Sequence, residues 1–130
     1  MIFVDTSVFV YAVGRPHPLR DPARKFFRET LESGDVLVTS TAVLRELLHT
    51  CRSVGREDRF DAGVELARGR TADIWPIEVE DVEFARALAD RHRGLGARAL
   101  LHLACCTRRE AESIKTFDRG LAALATASST

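Results

Sequence analysis

Ile2-Phe3-Val4-Asp5 near the start of the chain and Ser113-Ile114-Lys115-Thr116-Phe117-Asp118 near its end are short strand-like segments, and each stops at an aspartate. Runs of this length, closed by a polar residue, read as buried strands rather than as helix faces. Val36-Leu37-Val38 reads the same way, and so does Ile74-Trp75-Pro76-Ile77, whose proline assigns it to a sheet edge. Helical patterns fill the intervals. A short helix is expected over 8–13, before Gly14-Arg15-Pro16-His17-Pro18 forces a loop. Asp21-Pro22 reads as an N-cap followed by a first-turn proline, opening a helix that runs through Phe26, Phe27 and Leu31 to Gly34. Ser40 or Thr41 can cap a helix whose apolar face is Val43, Leu44, Leu47, Leu48 and Cys51. Further helices are expected over 59–67, 82–89 and 121–124, and the segment 97–107 is apolar nearly all round, as a buried helix is. Strands alternating with helices imply an α/β fold: a three-layer α/β/α arrangement around a mostly parallel sheet of four or five strands.

At 130 residues the chain is the length of one domain, expected over 1–125 with a frayed tail at 126–130. No apolar run reaches the roughly 18 residues of a membrane span. Met1 to Asp5 has no basic region and meets an acid at once, so it does not read as a signal peptide, and the expected compartment is the cytoplasm. Cys51, Cys105 and Cys106 form neither a disulfide framework nor a zinc pattern and read as packed thiols. A net charge of zero gives no general signal for binding polyanions. Lys25 and Lys115 are the only lysines among 19 basic residues, so the positive charge is almost all arginine, which suits bidentate phosphate contacts but is equally the bias of a GC-rich genome and does not by itself point to RNA.

The chemistry is carried by acids. Asp5 and Asp118 each follow a strand, and open parallel sheets bind ligands beyond the carboxyl ends of their strands. Taken singly, each is also an ordinary cap or turn former. If the first and last strands are neighbours, the two carboxylates share one crevice and repel unless a proton or cation lies between them. Oxygen ligands of this kind suit Mg2+ or Mn2+. Glu46 borders the apolar face of its helix and can reach over the same sheet end, or can simply be solvated or paired with a nearby arginine. The four histidines, His17, His49, His92 and His102, show no metal-ligand spacing, and His102 reads as a core residue of the buried helix.

These segments resemble a known family. Met1-Ile2-Phe3-Val4-Asp5-Thr6-Ser7-Val8 is similar to the opening strand and first acid of PIN domains, especially bacterial VapC toxins. Val43-Leu44-Arg45-Glu46-Leu47 resembles the helix with the second acid, and Lys115-Thr116-Phe117-Asp118 the last strand with the fourth. The stretch 94–104, Gly-Leu-Gly-Ala-Arg-Ala-Leu-Leu-His-Leu-Ala, resembles the segment bearing the third acid, but Ala99 stands where the family pattern has aspartate. Neither Asp90, before the glycine-rich turn, nor Glu110, at the far end of the helix, replaces it. The intact flanking motif favours a deliberate Asp→Ala exchange over natural degeneration.

The resemblance implies a metal-dependent endoribonuclease toxin, with Asp5 and Asp118 binding Mg2+ or Mn2+ directly and Glu46 binding it or orienting its water. It further implies Thr116, and with it Thr6 and Ser7, steadying the acids; Arg98, ahead of Arg91 and Arg93, holding the RNA backbone; a VapB-type antitoxin as partner; and a homodimer. Ala99 implies impaired activity. A degenerate PIN domain that only binds RNA or protein is the alternative. A phospho-acceptor receiver domain is disfavoured because the second strand ends Val38-Thr39-Ser40 without an acceptor aspartate, and a haloacid-type phosphatase because Asp5-Thr6-Ser7 lacks Asp-x-Asp.

Overall fold

The computed structural model describes residues 1–128. The elements run β1 (Ile2–Val4), α1 (Thr6–Val13), α2 (Arg20–Ser33), β2 (Leu37–Ser40), α3 (Thr41–Ser53), α4 (Glu57–Arg70), β3 (Thr71–Trp75), α5 (Val79–Ala89), α6 (Ala97–Arg108), β4 (Ser113–Lys115) and α7 (Arg119–Ser128). The four strands form one sheet in the order β3-β2-β1-β4, and every pairing is parallel. Phe3 lies opposite Val38 on one side and Ile114 on the other. The central strands are the apolar ones, as a sheet covered on both faces requires: every residue of β2 is buried, while the edge strand β3 is largely open.

Strand order fixes where a ligand can sit. From β1 the chain steps to β2 and then to β3 in one direction, and α5 and α6 then carry it back across the sheet to β4. Right-handed crossovers place α1–α4 on one face and α5–α6 on the other. Accordingly α1 packs on α2, α3 and α4, and α5 packs on α6. The order reverses between β1 and β4, and the crevice beyond the carboxyl ends of those two strands is the expected ligand site. On the α6 face Phe3 stacks on Trp75 with ring centroids 5.6 Å apart and meets His102 at 5.5 Å. Phe3 and Asp5 are two residues apart and so point to this same face.

The α1–α4 layer is drawn tight by a small residue. A Cβ on Gly63 of α4 would come within 2.5 Å of Leu47 Cδ2, so glycine lets α3 and α4 approach closely around the fully buried Leu47. On the other face, fully buried Asp81 accepts hydrogen bonds from Arg108 Nη1 and Arg109, with its carboxylate oxygens 2.5–3.0 Å away. This pairing ties the start of α5 to the end of α6. Burial opposes the charge on Asp81, but bonds from Arg109, the Glu78 backbone and Arg108 outweigh it and hold the carboxyl far below the usual range.

Several expectations need correction. Helix α2 begins at Arg20 with Leu19 as its cap and no side-chain capping bond, so Asp21 is not the N-cap. A turn that bonds the Arg20 amide to the His17 carbonyl at 3.0 Å feeds directly into the helix, and Pro22 falls later in the first turn, where no amide proton is needed. Ser40 does cap α3, accepting from the Val43 amide at 3.3 Å. Leu48, expected on the apolar face of α3, is 43% exposed, whereas Val43, Leu47 and Cys51 are buried. Strand β3 starts and ends earlier than expected, with Pro76 just beyond it, though it does lie at an edge. Strand β4 stops at Lys115, two residues short of Phe117, because Thr116 turns inward. Helix α4 is longer than expected, with acids in its first turn and arginines in its last, in keeping with the helix dipole. Helix α7 spans Arg119–Ser128, and of the tail expected at 126–130, residues 129 and 130 lie outside the described residues. All three cysteines are buried and unbridged.

Replacing fully buried Leu47 by alanine should cost about 2–5 kcal/mol in urea denaturation. Leu48→Ala should stay within about 0.5 kcal/mol of the parent. Equal losses at the two positions would contradict this packing.

Candidate active site

Asp5 follows β1 directly, and its amide continues the β1–β4 ladder by bonding the Lys115 carbonyl at 3.0 Å. Its side chain is fully buried. Thr116 Oγ1 donates to Asp5 Oδ2 at 2.6 Å and Ser7 Oγ does so at 3.2 Å, while Oδ1 has no hydrogen-bond partner. One carboxylate oxygen is thus held by hydroxyls, and the other is buried beside Arg98 and His102 without a hydrogen bond.

Glu46 comes in from α3, on the opposite face of the sheet. Thr6 donates a short hydrogen bond to it, and His102 Nε2 lies 3.1 Å from its carboxylate. Burial raises the Glu46 pKa, but the bond and charge of His102, the Thr6 bond and the charge of Arg98 outweigh burial and hold it below the ordinary value. Asp118 stands at the start of α7. Its Oδ1 accepts from the amides of Gly120 at 2.9 Å and Leu121 at 3.2 Å, and its own amide donates to Thr116 Oγ1 at 2.9 Å. The Leu121 amide bond lowers its pKa most; burial opposes this, and Arg98 and the Gly120 amide add to the lowering. Asp118 is therefore both a helix cap and a site acid.

Arg98, at the start of α6, reaches all three acids. Its guanidinium lies 2.6 Å from Asp118, 3.5 Å from Asp5 Oδ1 and 3.6 Å from Glu46. Three carboxylates against one guanidinium leave two negative charges, the deficit that one divalent ion fills. The donor set fits such an ion. Asp5, Glu46 and His102 each offer a ligand atom, and those atoms lie within 4.8 Å of one another. Asp5 Oδ1 is a buried acceptor with no hydrogen bond, only the charge of Arg98 and the ring of His102 standing 3.5 Å away, and a buried acceptor is costly to leave without one.

The crevice opens on two hollows. A mouth of about 330 Å3 is lined by Thr6, Ser7, Glu46, Arg98 and Asp118. A larger groove of about 780 Å3 runs beside it between α3 and α6, with Arg45, Glu46, His49 and Arg98 among its walls. Arg91 and Arg93 line neither hollow. Ala99 is buried in the first turn of α6, which contains no acid. Asp5, Glu46 and Asp118 are therefore gathered at one sheet end, with Thr6, Ser7 and Thr116 bonded to them. His102, read from the sequence as a core residue, is fully buried but belongs to this cluster. The missed signal was its spacing: it lies four residues after Arg98 and three after position 99, on one face of the helix.

A model of the PIN domain matches residues 2–127, and the chain belongs to the PIN-domain family. Ribonuclease VapC23 of Mycobacterium tuberculosis is 57% identical to it over 122 residues, 94% of this chain and 96% of that protein. Ribonuclease VapC13 of the same organism is 33% identical over 120 residues, 92% of each. These similarities put the chain with the VapC ribonucleases within the family. Among solved structures, VapC20 of M. tuberculosis, described as a Sarcin-Ricin loop cleaving toxin, aligns with a TM-score of 0.80 at 18% identity over 95% of both chains. VapBC2 from Rickettsia felis, bound to a DNA fragment from their promoter, aligns at 0.67 with 20% identity, covering 89% of this chain and 86% of that one. Both share the fold.

In metal-free protein, the lowered pKa values of Glu46 and Asp118 add stability that is complete above the usual carboxylate range of about 4 and lost as the pH falls through the lowered values. Circular dichroism between pH 6 and pH 2 should show the parent losing stability more steeply than a Glu46→Gln, Asp118→Asn double variant. Identical slopes would contradict the assignment.

Proposed function

We propose that the chain is a metal-dependent endoribonuclease, the toxin of a toxin–antitoxin pair, whose cluster is weakened by the alanine at position 99. The observation that carries this reading is the buried, half-satisfied carboxylate of Asp5 at the strand-order reversal, facing Glu46 and Asp118. Asp5 and Glu46 would hold Mg2+ or Mn2+, and Asp118 would reach the ion or its water. Such an ion, when bound, supplies a water of lowered pKa and stabilises charge on the phosphate under attack. The chain's own groups do the positioning. Thr116 and Ser7 fix Asp5 Oδ2 so that Oδ1 points at the cluster. Thr6 orients Glu46, and the α7 amides steady Asp118. Arg98 is 43% exposed at the mouth and would pair with a backbone phosphate, while Arg45 and His49 would follow the strand along the groove.

The VapC relatives and the VapBC2 assembly support a VapB-type antitoxin as partner. An arginine from such a partner would pair with the three acids as Arg98 does. The reading also carries a homodimer and a cytoplasmic location; among the described residues no helix is long and apolar enough to cross a membrane. A binding module that cuts nothing is the second reading, favoured by the absence of an acid in the first turn of α6.

RNA cleavage by the purified chain should be compared with that by an Ala99→Asp variant, in Mg2+ and in chelator. An acid in a helix's first turn is favoured by the dipole, and restoring a ligand should raise Mg2+-dependent cleavage at least about 10–100-fold. Robust Mg2+-dependent cleavage by the chain as it stands would contradict the impairment. Failure of both folded proteins to cut RNA would favour the binding module.

A further inference from the structure

We infer that His102 is a metal ligand, coordinating through Nε2, so that the ion in this chain sits on Asp5, Glu46 and His102 rather than on acids alone. The inference rests on the metal-dependent reading above and deepens it. Nε2 lies 3.1 Å from the Glu46 carboxylate and 3.5 Å from Asp5 Oδ1. Two ligand atoms at right angles on an ion about 2.1 Å away are separated by about 3 Å, so these are the spacings of adjacent ligands. Asp5 Oδ1, fully buried and without a hydrogen-bond partner, is the third corner of that group.

The geometry of α6 explains why an imidazole takes this place. Position 99 is one helical turn before His102 on the same face, and its alanine brings only a methyl group. His102 reaches the acids from the next turn, held by the Phe3 ring at 5.5 Å between centroids. Asp118 does not belong to the close group; its oxygens are taken by Arg98 and by the α7 amides. Arg98 stands 3.5 Å from Asp5 and 3.6 Å from Glu46 on the solvent side. Coordination requires the neutral ring with its proton on Nδ1, an atom that has no partner in the structure.

The consequence is a change in which ions the site favours. An imidazole beside two carboxylates favours later first-row ions, with affinity rising from Mn2+ to Co2+, whereas Mg2+ prefers oxygen. Calorimetric titration with Co2+ and with Mg2+ should show Co2+ bound more tightly. His102→Gln should lower Co2+ affinity by about 10-fold or more and lower Mg2+ affinity by less. The direct test is electron spin-echo modulation of Mn2+-loaded protein with 14N- or 15N-labelled histidine. It should show a directly bound histidine nitrogen, in the parent and in a variant whose other histidines are replaced (His17→Gln, His49→Gln, His92→Gln). That variant keeps the test decisive even if His102→Gln does not fold. Ion binding without histidine coupling, or coupling lost in the triple variant, would overturn the role of His102 and leave the metal-dependent reading standing. If neither Co2+, Mn2+ nor Mg2+ binds the parent, both fall.

Discussion

A carboxylate buried at the end of a central strand is the constraint on which the structure turns. Asp5 cannot be solvated by water, so the chain must answer its charge with its own groups. Thr116 and Ser7 satisfy one oxygen, and the charges of Arg98 and the polar edge of His102 stand near the other. Each of these groups comes from a different element. The requirement therefore sets the inward turn of Thr116 that ends β4, the approach of α6 over the sheet and the start of α1.

The same constraint separates cost from function. A lone pair left unpaired in the interior weakens a fold unless something enters to use it. Strand order provides the entry, because reversal between β1 and β4 opens a crevice where β1 and β2 alone would leave a closed edge. The cluster then joins the two helical layers: Glu46 arrives from the α1–α4 side, and His102 and Arg98 from α6. The buried Asp81 pairing anchors the far end of α6, and Arg98 ties its first turn to the acids.

Much of this was legible in the sequence, for identifiable reasons. Asp5 and Asp118 stood out because an acid that closes an apolar strand in a parallel sheet points at a ligand crevice. Glu46 stood out because it borders an apolar helix face. That β1 and β4 are neighbours did not follow from either segment alone; it depends on the crossovers, which are long-range. His102 was hidden by its surroundings, since Leu100, Leu101, Leu103 and Ala104 make the whole helix look like core. Arg98 was visible as a basic residue beside the site but not as the partner of three acids, because a flexible side chain's target is set only in three dimensions. Asp21 misled because its proline neighbour mimics a capping signal, while the real start is set by the preceding turn at His17.

The central claim is that these carboxylates exist to hold a divalent ion. It is tested most directly by calorimetric titration of Mn2+ into metal-free protein, beside an Asp5→Asn variant of the same shape that cannot carry the charge. The account predicts one bound ion per chain in the parent and loss of binding in the variant. An absence of binding in the folded parent, or equal binding by both, would contradict it.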